Sequence, residues 1–191
     1  MGSGGLSLRE RKKLEAWRAI RAAGLALFEE QGYEATTVEQ IAAAANVSRA
    51  TFFNYFPSKE AVVFEQDPEA RDRWRALMDE RPAGEPLWDA LTGIILDFSA
   101  TLRDGMPLQR RLKAQSPSLA QATQNVGDQF LADLRAWVAA RRADDELEAT
   151  LQLNLALAAL GTAYQTWEAD ESFDAYLRRI ERCLRQARPN L

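Results

Sequence analysis

Apolar side chains recur three and four positions apart along almost the whole chain, while β-branched runs and Asn-Gly hairpin signals are missing, so an all-α fold is expected. Breakers mark the joints. Leu14, Trp17, Ile20, Ala23, Leu27 and Phe28 line one face of a first helix that Gln31-Gly32 ends. Thr36 with Glu39 and Thr37 with Gln40 form two overlapping capping boxes, which start a short second helix through Ala44. Asn46-Val47-Ser48 turns the chain into a third helix, Ser48 to Tyr55, and Pro57-Ser58-Lys59-Glu60 ends it and starts a fourth with Ser58 as N-cap. Beyond Phe64, proline, glycine and acidic breaks predict helices over 68–80, 85–103, 107–115, 117–142, 146–168 and 172–187. The expected organisation is an N-terminal three-helix helix-turn-helix domain over residues 8–57, followed by a larger antiparallel helical bundle over residues 58–191.

Composition narrows the function. With 191 residues, 47% of them apolar, the chain can bury a sizeable core. The single cysteine, Cys183, excludes an intramolecular disulfide, and the absence of histidine removes the commonest metal ligand and the commonest general base. No Walker loop or dinucleotide fingerprint occurs, so no metal, no cofactor and no enzymatic activity are expected. A helical enzyme, the remotest alternative, would need a nucleophile or an acid/base pair that the sequence does not supply. No run of about 18 apolar residues is present, and the start lacks the apolar centre of a signal peptide, which predicts a cytoplasmic protein with no membrane partner.

The net charge of −4 conceals an uneven distribution. Arg9, Arg11, Lys12, Lys13, Arg18 and Arg21 face only Glu10 and Glu15, so a basic segment precedes an acidic remainder. Charge alone favours a solvated helix face over a polyanion site, which needs a geometry as well as a charge excess.

Residues 38 to 56 fit the helix-turn-helix pattern position by position. Ile41, Ala45, Val47 and Phe52 supply the apolar contacts between the two helices, Ala42 is the small residue at their crossing, and Asn46 fills the turn position that requires a left-handed backbone. The motif lays its second helix in a DNA major groove. With Phe52 and Phe56 turned inward, Arg49, Ala50, Thr51, Phe53, Asn54 and Tyr55 face outward. Arg49 suits a bidentate contact to guanine, Asn54 a pair with adenine, and Thr51 and Phe53 a thymine methyl. Ser48, Tyr55 and Lys59, with Thr36 and Thr37 across the motif, suit phosphates, Lys59 lying in a helix first turn that already favours an anion. The competing reading is a three-helix packing unit whose aromatics are all core. The ordered succession of capping boxes, turn residue, short aromatic helix and PSKE exit, beside a basic first helix, favours DNA.

The runs GYEATTVEQIA (32–42) and VSRATFFNYFPSKE (47–60) carry a family resemblance. Residues 11–62 resemble the DNA-binding domain of the TetR family of transcriptional regulators. That resemblance implies DNA-contact roles for Thr37, Ser48, Arg49, Ala50, Thr51, Asn54, Tyr55 and Lys59. Many relatives carry tyrosine where this chain has Phe53, so an apolar contact is expected there in place of a hydrogen bond.

One short recognition helix reads only a few base pairs, so a homodimer on a palindromic operator in double-stranded DNA is expected. Leu151, Leu155, Ala158, Ala159 and Thr162 on one helix, and Phe173, Tyr176, Ile180 and Leu184 on the next, form the expected seam, and the resemblance implies the same pairing of last helices. The alternative is that both stripes are intramolecular core. Trp88, Phe98, Leu102, Met106, Phe130, Leu134, Trp137, Tyr164 and Trp167 read from the residues alone as core. The resemblance implies that the larger domain holds an apolar effector pocket, and Arg110, Arg111, Lys113 and Gln115 beside the Ser116-Pro117 break are candidates to meet an anionic head group. The FFNYFPSKEAVVF run and PAGEPLWDAL are similar to regulators of this family thought to sense acyl-CoA or related lipids. The implied function is a dimeric repressor released by a small apolar or acyl-CoA-like effector; the alternative is a constitutive helix-turn-helix protein with no effector.

Overall fold

A computed structural model describes residues 7–115, 125–141, 145–168 and 170–189. These residues form ten helices and no strand, and they divide into two compact units between Pro68 and Glu69.

The first unit contains α1 (Leu8–Gln31), α2 (Val38–Ala44), α3 (Arg49–Phe53) and α4 (Lys59–Phe64). Ser7 caps α1 through a reciprocal pair with Glu10: the Glu10 amide donates to the Ser7 hydroxyl at 3.2 Å, and the Ser7 amide donates to the Glu10 carboxylate at 2.8 Å. Gly32, at φ 87°, stops the helix. Trp17, Ile20, Gly24, Leu25 and Phe28 face inward, against α2 and α4. Gly24 is there for closeness: a Cβ at this position would lie 2.6 Å from Val62 Cγ1 on α4. Ala61, Val62 and Val63 are all buried, so α4 is part of this unit, and the expected boundary after Pro57 falls too early. Phe52 and Phe56 are fully buried as expected, with Phe56 packed against Trp17 at 5.3 Å between ring centres. Each such phenylalanine contributes roughly 1.5–3 kcal/mol by leaving water.

The second unit contains α5 (Ala70–Asp79), α6 (Leu87–Ala100), α7 (Met106–Gln115), α8 (Asn125–Ala140), α9 (Glu146–Gln165) and α10 (Phe173–Ala187). The helix expected over 117–142 is described from Asn125 to Ala140; the Ser116-Pro117 break and Ala143-Asp144 lie outside the described residues. The helix expected over 85–103 is shorter, because the backbone turns at Thr101, whose hydroxyl donates to the Phe98 carbonyl at 2.7 Å. Asp145 and Ser172 cap α9 and α10 with their side chains.

α9 packs along α10, both meet α6, and α5 bridges α6 and α8. Asp133 on α8 is buried and accepts from Arg71 Nε and a terminal Arg71 nitrogen at 2.9 Å each, from Trp74 Nε1 at 2.9 Å and from Arg75 at 3.2 Å. The arginines hold its carboxyl far below the usual carboxylate range. Gly93 on α6 leaves room for Arg81, whose guanidinium occupies the space of a missing Cβ and reaches Asp97 at 2.7 Å.

Candidate nucleic-acid interface

The capped starts of α2 and α3 and one left-handed residue build the surface around α3. Asn46 adopts φ 54°, the conformation the turn requires, and lets α3 leave α2 at once. Ser48 caps α3 by accepting from the Thr51 amide at 3.0 Å, while the two hydroxyls share a hydrogen bond at 2.8 Å. Arg49, Ala50, Phe53 and Asn54 are exposed, and Thr51 and Tyr55 are half-buried. Phe53 leaves 41% of its surface in water, unusual for a large apolar side chain that has a core beside it.

Arg49 is not loose on this surface. Its Nε donates to Glu39 Oε1 at 2.7 Å and its guanidinium lies 4.9 Å from the Phe53 ring centre. Glu39 was not among the expected site residues; ten positions from Arg49, it is visible in the sequence only as a capping partner. Its carboxyl is held below the usual range by its own backbone N–H and then by Arg49.

One expected phosphate contact, Thr36, is corrected, and Lys59 has partners within its own unit. Thr37 caps α2 reciprocally with Gln40 and is exposed, but Thr36 forms no box with Glu39. Thr36 is 1% exposed, and its hydroxyl donates to the Gly32 carbonyl at 2.8 Å and accepts from Gln31 at 3.1 Å, so it has no surface to offer a phosphate. Lys59 is turned back on its own unit. Its Nζ donates to the Tyr33 carbonyl at 2.9 Å and lies 4.1 Å from the Tyr33 ring centre. The Tyr33 hydroxyl in turn donates to Glu60, and burial with that carboxylate pushes the phenol pKa far up. This cluster pins the loop before α2 to α4.

Residues 20–65 match the family model of bacterial regulatory proteins, tetR family. The helix-turn-helix unit thus matches the DNA-binding domain of the TetR family. It is 40% identical over 101 residues to TcmR, an HTH-type transcriptional regulator of Streptomyces glaucescens, a match covering 53% of this chain and 45% of TcmR. The aligned stretch thus spans less than half of that relative. Among solved structures, Thermus thermophilus FadR, a TetR family transcriptional repressor in complex with lauroyl-CoA, is 24% identical with a TM-score of 0.53, covering 90% of this chain and 92% of FadR. The fatty acid degradation regulator FadR from Bacillus halodurans is 19% identical with a TM-score of 0.59, covering 88% of this chain and 94% of that one. Both share the all-helical TetR fold.

In the second unit, the ten expected effector residues gather around one apolar core. Trp88, Phe98, Phe130, Leu134 and Trp167 are buried in it, and Leu102, Met106, Trp137 and Tyr164 pack against it. Phe98 stacks on Phe130 at 3.7 Å, and the guanidinium of Arg110 lies over Tyr164 and Trp167.

The expected dimer seam splits. Leu151, Ala158 and Thr162 are exposed and Leu155 is half-buried, so they share an outward stripe of α9 with Leu147. Ala159, Phe173, Tyr176, Ile180 and Leu184 are buried in the unit's own core. Those five are corrected: the apolar face of α10 is already covered by α6 and α9.

Proposed function

We propose that this chain is a sequence-specific DNA-binding transcriptional regulator that acts as a homodimer on a palindromic operator. The observation that carries the proposal is the exposed face of α3, where Arg49, Ala50, Phe53 and Asn54 project beside a tight Asn46 turn. An arginine and an asparagine beside an apolar ring supply hydrogen bonds and methyl contacts to base edges. The capping hydroxyls of Thr37 and Ser48 stand at the ends of the motif, where phosphates run. Two copies place two recognition helices in successive major grooves, about 34–36 Å apart.

The regulator acts as a repressor, and a small apolar or acyl-CoA-like molecule releases it from DNA. Support for that effector class comes from the aromatic-rich second unit and from Thermus thermophilus FadR, which holds lauroyl-CoA on the same fold. Release requires the effector to bind more tightly to a conformation that fits the operator poorly, and DNA must then weaken effector binding by the same factor. A constitutive DNA-binding protein is the second reading, favoured by the close Phe98–Phe130 stacking inside the core.

Fluorescence anisotropy on duplex DNA, with Arg49→Ala, Tyr55→Ala beside the parent chain, tests the DNA-reading claim. Sequence preference in the parent and its loss in the variant are expected. Equal affinity of both chains for every duplex would remove the proposal. Adding lauroyl-CoA to the DNA complex separates the two readings, since only the effector reading predicts release.

A further inference from the structure

Several arginines of the second unit end on an oxygen acceptor. Arg71 meets Asp133, Arg81 meets Asp97, Arg179 meets Glu171, and Arg141 gathers the carbonyls of Pro82, Ala83 and Glu85. Arg110 on α7 differs. Its Nε is buried and has no hydrogen-bond partner among the described residues. The guanidinium instead faces two aromatic rings, with Cζ 4.9 Å from the centre of Tyr164 and 5.3 Å from that of Trp167. Trp167 is itself stacked on Tyr176 at 4.7 Å, and Tyr164 meets Tyr176 edge-on at 6.4 Å.

A desolvated donor without an acceptor is costly, and attraction to ring faces offsets only part of that loss. The rings nevertheless hold the guanidinium in one plane, which prepares its fork of N–H groups for two parallel oxygens. Leu102, in the turn before α7, and Met106, its first residue, pack against the core and are only half-buried, so apolar surface lies at the entry to the same helix. Met106 can re-pack around an apolar body at little cost.

We propose that Arg110 is the anion anchor of a ligand site in the second unit, taking the carboxylate or phosphate of a molecule with an apolar body. The Tyr164 and Trp167 rings position it. This rests on the effector reading above and names the charge that the effector must carry. The overall charge of −4 works against any general attraction of anions, so a preference for them must come from a local cation.

The test is calorimetric titration of the full chain with dodecanoate, dodecyl phosphate and dodecanol below micelle formation, using the parent, Arg110→Gln and Arg110→Lys. At least one anion is expected to bind the parent about tenfold or more tightly than the alcohol, the charge-assisted contact being the only difference. Which anion wins distinguishes a carboxylate effector from a phosphate-bearing one. Arg110→Gln should erase the preference, and Arg110→Lys, a point charge without the fork, should restore part of it. Equal binding of alcohol and anions by the parent, a preference that survives in Arg110→Gln, or no binding of any of the three would overturn the proposal. If Arg110→Gln fails to melt cooperatively, the parent's anion-to-alcohol ratio and the Lys variant decide. Duplex binding, measured in parallel, keeps the readings apart: its failure removes the regulator and leaves the anion preference standing.

Discussion

Arg49 Nε sits 2.7 Å from Glu39 Oε1, so the side chain best suited to read guanine is held by a carboxylate from the neighbouring helix. Both partners are largely exposed, at 64% and 63% of their side-chain surface. Such a pair is weak and easily exchanged for a base edge. Losing Glu39 frees Arg49 and also removes a negative charge from a surface that faces phosphates. Glu39→Gln is therefore expected to tighten operator binding about three- to fivefold at low salt, with a smaller gain at high salt. Anisotropy titrations at two salt concentrations check this. Weaker binding by Glu39→Gln would mean that the carboxylate orients Arg49 for the base.

Gly24 and Val62 set the distance between α1 and α4. Replacing glycine with alanine in a helix interior gains about 1 kcal/mol of helix propensity. Here the new Cβ would lie 2.6 Å from Val62 Cγ1. Overpacking of that kind costs about 1–3 kcal/mol, so the clash wins. Gly24→Ala is expected to lower the stability of the DNA-binding unit in denaturant melts, and adding Val62→Ala should recover part of the loss. A stabilised single variant would show that α4 can move away freely.

Asp133 ties α5 to α8 through Arg71, Trp74 and Arg75. Its folded-state pKa is depressed, chiefly by the Arg71 hydrogen bond. The stabilisation is therefore complete above the ordinary carboxylate value of about 4 and is lost as pH falls below it. Arg71 and Arg75 are half-exposed and partly rehydrated when the carboxylate is removed. The loss from Asp133→Asn at neutral pH is thus expected near 2–3 kcal/mol, roughly the worth of hydrogen bonds to a charge and below the cost of breaking a fully buried pair. Urea melts at pH 7 and at about pH 2.5 should show the gap between parent and variant shrinking in acid. A gap independent of pH would contradict the assigned ionisation.

Leu147 and Leu151 on α9 are exposed at 78% and 52%, whereas Ile180 on α10 is fully buried. If the α9 stripe is the dimer seam, Leu151→Glu should halve the mass measured by light scattering and leave the melt of the monomer nearly unchanged. Ile180→Ala should cost about 2–5 kcal/mol of stability through a core cavity. A Leu151→Glu chain that remains dimeric would place the seam elsewhere.

The first unit was largely legible because its signals are local. The caps at Thr37, Ser48 and Ser58 and the left-handed Asn46 each depend on a few neighbouring residues. Thr36 was not legible, since two adjacent threonines offered the same capping pattern and tertiary burial against the Gly32 carbonyl chose between them. The Phe173, Tyr176, Ile180 and Leu184 stripe shows the same limit in the second unit. Periodicity tells that a face is covered, and α6 and α9 of the same chain cover it. Asp133 and Arg71 are 62 positions apart, a pairing that no local pattern announces.

The central claim is that α3 reads DNA sequence, and selection of bound duplexes from a random library, with Arg49→Ala, Tyr55→Ala run alongside, tests it most directly. The account predicts a palindromic site whose half-sites lie about one helical turn or a multiple of it apart, enriched by the parent and lost with the variant. No enriched site even at low salt, where phosphate contacts are strongest, or a site retained in full by the variant, would contradict it.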